Sequence, residues 1–135
     1  MIPKVIYTAD LSETPDKQRL TAWRHAWQAM HPEWDVVTLT LDTKPPILNY
    51  DQWQQTFGLS EPAASAARLN LLRYEVLARE GGVFVDPDRL PLRPLDEIVA
   101  GVGAFCSTIA SHGASRPHML APSVLGATRN HPMLW

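Results

Sequence analysis

The 135-residue sequence predicts an α/β fold, a mostly parallel sheet flanked by helices. Three observations carry this reading. Short apolar runs at Ile2–Tyr7, Asp35–Leu41 and Val83–Val85 alternate with longer stretches of helical periodicity. The stretch from Ala63 onward reads as one helix that stops at Gly81-Gly82 and passes directly into the strand Val83–Val85. At that strand's carboxyl end stand two carboxylates, Asp86 and Asp88, on either side of Pro87. Ligands of open α/β sheets sit outside the carboxyl ends of the strands.

The first strand is centred on Val5 and Ile6. Thr14-Pro15-Asp16 then reads as a helix start, with a capping hydroxyl, proline in the first turn and an acid after it. Leu20, Trp23, Trp27 and Met30 recur at spacings of three and four and form one buried face. His25 and His31 lie off that stripe and are expected on the solvent side or at the helix end, and Pro32 stops the helix. In the second strand Val37, Leu39 and Leu41 alternate with Thr38 and Thr40. Tyr50, Trp53 and Phe57 mark a short aromatic helix, and Ser60-Glu61-Pro62 opens the long one, whose buried stripe is Leu69, Leu72, Val76 and Leu77. After Asp88 the proline-rich segment 89–94 is extended, and Leu95–Val99 forms a short helix. Phe105–Ala110, His118–Ala121 and Val124–Ala127 read as further strands, with a loop at Ser111–Pro117.

Composition narrows the function classes. A chain with 45% hydrophobic and 19% charged residues is globular, and its length suits one domain with a real core. A net charge of −2 without a basic block gives no electrostatic support for nucleic-acid binding. The single cysteine, Cys106, excludes an internal disulfide framework, fits a reducing, cytoplasmic setting and reads as a small buried hydrophobe. No signal peptide is read in Met1–Asp10. The least polar stretch, Ile98–Ala110, is too short and glycine-rich to span a membrane. The five histidines form no spacing expected of a metal site.

The chemistry concentrates around Asp86-Pro87-Asp88. Proline fixes its own φ and disfavours the α region for Asp86, so the chain leaves the sheet stiffly with a carboxylate on each side of the bend. Paired carboxylates suit a hard divalent cation, Mn²⁺ or Mg²⁺, which takes oxygen ligands and bridges to phosphates. The same tripeptide is also an ordinary turn. Its surroundings are more specific: Asn70-Leu-Leu-Arg73-Tyr74, then Gly81-Gly82-Val-Phe-Val-Asp86-Pro-Asp88, then Leu92-Arg-Pro94-Leu95-Asp96. Together these resemble the DXD-containing, sugar-binding segment of the glycosyltransferase family 32 type. That group includes mannosyltransferases and capsule enzymes, and the glucosyltransferase domains of large clostridial toxins are more distantly similar. The opening Ile2-Pro3-Lys4-Val5-Ile6 and the His31-Pro-Glu-Trp34 segment resemble the family as well.

The resemblance implies the donor-binding half of a GT-A glycosyltransferase, a single domain over 1–135 cut short on its C-terminal side. It implies metal-dependent transfer from a nucleotide-sugar donor, with retained anomeric configuration. Asp88 would hold the cation, Asp86 would contact ribose or sugar hydroxyls and contribute to the metal site, and Arg73 would neutralise phosphate with its fixed fork. Asn70 would complete the donor site. Tyr7 would stack on the base, or else bury its ring in the core. Two departures stand out. Asn70 replaces the family's aspartate and lacks its charge. Arg89 stands next to Asp88 and can pair with it.

Arg73 also has a plainer reading as a surface helix arginine paired with Glu75 or Glu80. Two other functions fit the residues: an inactive, shortened relative serving as a binding or structural module, and a haloacid-dehalogenase-type phosphotransferase with Asp86 as nucleophile. Against the second, little chain follows Asp88 and no downstream Asp pair occurs. Edges left by a missing half would favour self-association or a partner chain that supplies it.

Overall fold

A computed structural model describes residues 1–109 and 119–134. In chain order the elements are β1 (Val5–Asp10), α1 (Lys17–Met30), β2 (Asp35–Thr40), α2 (Tyr50–Thr56), α3 (Ala63–Glu80), β3 (Gly82–Val85), α4 (Asp96–Val99), β4 (Ala104–Ile109) and β5 (Met119–Ala127). A 3₁₀ turn follows at Pro132–Leu134. The expected loop Ser111–Pro117, with His112, and the strand start at His118 lie outside the described residues.

The sheet order is β2-β1-β3-β5-β4. β2, β1 and β3 run parallel, and β5 is antiparallel to both β3 and β4. This is the expected α/β architecture. Its parallel part is the one joined through α1 and through α2–α3, because parallel neighbours need long crossovers. On one face, Trp23 and Trp27 of α1 bury Ile2, Ile6, Val83, Val85 and Val99. On the other, Leu72, Val76 and Leu77 of α3 cover Ala9, Leu39, Phe84 and Leu125 together with Trp53. The period-2 alternation of β3 thus sends Val83 and Val85 to the α1 face and Phe84 to the α3 face.

Between α3 and β3 the backbone turns through Gly81 (φ 71°) and Gly82 (φ 116°). A Cβ on Gly81 would lie 2.8 Å from the Arg129 nitrogen, and one on Gly82 would lie 2.8 Å from the Val5 carbonyl oxygen. Only glycine allows both the left-handed backbone and the close approach.

Several local expectations change. β1 runs on to Asp10, so Tyr7 sits mid-strand rather than at its end. The cap of α1 is Asp16, whose carboxylate accepts the Arg19 N–H at 3.0 Å, rather than Thr14. α3 begins at Ala63 without a side-chain cap. The two strands read after residue 118 are one strand, β5, with a register shift opposite Cys106 and Ser107. Pro122 is tolerated there because a bulge relaxes the ladder's demand for an N–H. Cys106 packs against the core but is only partly buried, short of the full burial expected.

His31 is the largest departure. It is fully buried at the end of α1, where Met30 is partly exposed instead. Its Nδ1 donates to the Trp27 carbonyl at 2.8 Å, which leaves Nε2 to accept the Leu95 N–H at 2.9 Å. The ring stacks on Trp27 and meets Trp34 edge-on. The Trp27 indole N–H donates to the Arg89 carbonyl at 3.0 Å, and that of Trp34 to the Asp96 carboxylate at 3.2 Å. Three aromatic rings therefore hold the leg that follows Asp88. His31→Phe keeps the ring volume but leaves the buried Leu95 N–H without an acceptor, which costs about 1–3 kcal/mol. Urea denaturation of the two proteins checks this; a difference under about 0.5 kcal/mol, the size of an ordinary surface effect, contradicts it.

Candidate active site

β3 ends at Val85, and the alternation of the strand turns Asp86 toward α3. There it meets Arg73, which is buried in spite of its charge. Arg73 Nη2 donates to Asp86 Oδ1, and Nη1 donates to the Pro122 carbonyl at 2.7 Å. The Asp86 N–H donates to the Ser123 carbonyl at 2.8 Å. The irregular middle of β5 thus supplies acceptors to both residues. Arg73 is neither a surface arginine nor paired with Glu75 or Glu80. Glu75 instead receives the Leu48 and Asn49 N–H groups and the Asn49 amide, and so ties down the start of α2.

Burial pushes the Asp86 carboxyl above the usual range, and the charge of Asp88 adds to this; Arg73 and Arg89 oppose the rise without cancelling it. Burial likewise lowers the Arg73 guanidinium, against the pull of Asp86 and Tyr74. Asp86 Oδ1 is engaged by Arg73, while Oδ2 has no partner among the described residues and is not buried. Asp88 is more open. Its side chain is 67% exposed and lies 3.8 Å from Arg89 Nε, the pairing expected from their adjacency. In water such a pair is weak and yields readily to a stronger partner.

Asp86, Pro87 and Asp88 form one wall of an open cavity of about 500 Å³. The end of β1 (Ala9, Asp10) with Leu11 after it, and Pro62 with the first half of α3 (Ser65, Ala66, Leu69), form the others, and Arg19 of α1 reaches it as well. Asp10 is a carboxylate already in use. Its Oδ1 accepts the Ser12 N–H and hydroxyl at 3.1 and 2.7 Å, and its Oδ2 accepts the Asp16 N–H at 3.0 Å. Burial pushes Asp10 up, but these bonds and the Arg19 charge outweigh it and leave the carboxyl below its usual value.

The structure does not bring every expected donor residue here. Asn70 is exposed on α3 and absent from the cavity wall, although Leu69 beside it lines it. Tyr7 is half-buried and stacks on Phe84, with its ring passing 3.1 Å from where a Gly82 Cβ would stand. Burial, then the charges of Glu80 and Asp35, raise its hydroxyl. Those acids mark the amino-terminal end of the sheet, opposite Asp86, and Tyr7 packs partly buried against the α3-side core there. Sequence reasoning missed Arg19, whose signal was a cation in the first turn of a helix that starts just after β1. It also missed Arg68, which is buried under Phe57 with bonds to Thr56 and Leu11.

Residues 17–102 match the family model described as glycosyltransferase sugar-binding region containing DXD motif. The chain belongs to this family. In it the DXD is Asp86-Pro87-Asp88, which the fold sets at the carboxyl end of β3. Among solved structures, a PaToxG glycosyltransferase is similar with a TM-score of 0.64 at 13% identity, over 98% of this chain and 57% of that one. The likeness concerns the fold, and the chain spans little more than half of that structure. No curated protein matches the chain. Among the described residues no helix of this DXD protein is long and apolar enough to cross a membrane.

Proposed function

We propose that the chain binds a nucleotide-sugar donor in the cavity beside Asp86 and Asp88 and serves transfer of its sugar to an acceptor, with retention of configuration as the family resemblance implies. The observation that carries this is the placement of the DXD carboxylates: both line one open cavity, outside the carboxyl ends of two parallel strands.

The donor set fits a hard divalent ion, with a clear limit. Asp88 and the free oxygen of Asp86 are hard oxygen ligands. The described residues contain no group of three or more metal-ligating side chains. Asp10, the other carboxylate in the cavity, has both oxygens engaged. Asp88 and Asp86 would hold such an ion, and it would supply positive charge against the diphosphate leaving group. The chain's own residues orient: Arg73 clamps Asp86 so that its remaining oxygen faces the donor hydroxyls, and Pro87 holds the two carboxylates apart. Joint binding of Mn²⁺ and a nucleoside diphosphate, read as a melting shift, is the direct test.

A further inference from the structure

We infer that Arg19, and not Arg73, is the arginine that receives the donor's diphosphate; this rests on the donor reading above. Arg73 cannot easily take that role. Its two terminal nitrogens are bound to Asp86 and Pro122, its side chain is 2% exposed, and it does not line the cavity. Turning it toward phosphate would strand Asp86 in a half-buried place. Even with a divalent ion on Asp86 and Asp88, the cavity's three carboxylates outweigh it, so a diphosphate needs a further cation nearby, because like charges held close repel.

Arg19 meets that need. It is the one Lys or Arg among the described residues that lines the cavity. Its guanidinium makes no hydrogen bond and no ion pair among the described residues, so its five donors are available. Its base is nonetheless fixed. Asp10 at the end of β1 accepts the Asp16 N–H, and Asp16 in turn caps α1 through the Arg19 N–H itself. The strand end that borders the site therefore sets where Arg19 starts. The exposed side chain is free to swing onto a ligand and form paired, charge-assisted bonds to phosphate oxygens.

The test is calorimetric titration of the full chain with Mn²⁺ present, using uridine or guanosine diphosphate, the matching monophosphate and the bare nucleoside. Wild type should bind the diphosphate. Arg19→Ala should bind it about ten- to a hundredfold more weakly, the loss expected for a hydrogen bond to a charged group. The gap should narrow for the monophosphate and close for the nucleoside, and Arg19→Lys should recover part of it. Arg19 is exposed, so the melting temperature without ligand should not change. If wild type binds the diphosphate and Arg19→Ala binds it within twofold, the Arg19 role is wrong and the donor reading stands. If wild type binds no diphosphate, both fail.

Discussion

Arg73→Ala is expected to cost the fold about 3–4 kcal/mol at neutral pH. Removing one partner of a buried ion pair typically costs 3–5 kcal/mol, because the other charge is left without compensation. The Asp86 side chain is 27% exposed, so solvent screens it in part, which argues for the lower half of that range. The pH dependence has a definite sign. Asp86 has a folded-state pKa above its unfolded value, so its ionisation already costs stability as pH rises through the carboxylate range. Without Arg73 that pKa rises further and the cost grows. The difference between wild type and Arg73→Ala should therefore be small in acid and widen toward pH 7. Adding Asp86→Asn should restore much of the loss, since an amide tolerates the site without a countercharge. Urea titrations of the single and double variants at two pH values measure this. If Arg73→Ala is as stable as wild type, or if Asp86→Asn gives no relief, the clamp is not what holds Asp86.

Asp88→Asn is expected to abolish a stabilisation that Mn²⁺ and a nucleoside diphosphate produce only together. Two carboxylates bind a divalent ion weakly until phosphate oxygens join them, so neither component alone should shift the melt. At about a hundred times the dissociation constant, a ligand stabilises the native state by roughly 2.7 kcal/mol. In a domain of this size roughly 3–4 °C accompanies each kcal/mol, so the joint shift is close to 10 °C. The amide of Asp88→Asn cannot offset the cation's charge, and the open position of Asp88 means that the unliganded melt should barely move. Thermal melts of both proteins with metal alone, nucleotide alone and the pair decide it. A wild type indifferent to every combination would remove the donor site and favour the structural-module reading. A shift retained in Asp88→Asn would place the metal elsewhere.

Much of the fold was legible because its periodicities are local. The stripe Leu20–Trp23–Trp27, the alternation of β2 and the Gly81-Gly82 break each follow from the geometry of one element. The errors fell where a residue answers to a partner far along the chain. His31 read as a helix-end polar residue, yet its ring is buried because Leu95 supplies an N–H across 64 positions. Asn70 and Arg73 sit three apart on one helix, yet one is exposed and the other buried, since Asp86 and Pro122 reach only Arg73. Tyr7 was placed at a strand end that proved to be Asp10.

By itself the sequence determined the α/β class, the family and the position of the DXD carboxylates at the end of β3, because strand, glycine break and proline bend are all encoded within a few neighbouring residues. Tertiary structure alone decided which arginine faces the cavity. Arg73 and Arg19 carry the same charge, and the local motif around Asn70 and Arg73 pointed to Arg73, which does not line the cavity. One lies beneath the carboxylate where β3 and β5 meet, and the other stands beside the end of β1, in no ion pair among the described residues. Burial and the distance between charges govern what a guanidinium can bind, and both come from the packing of segments remote in sequence.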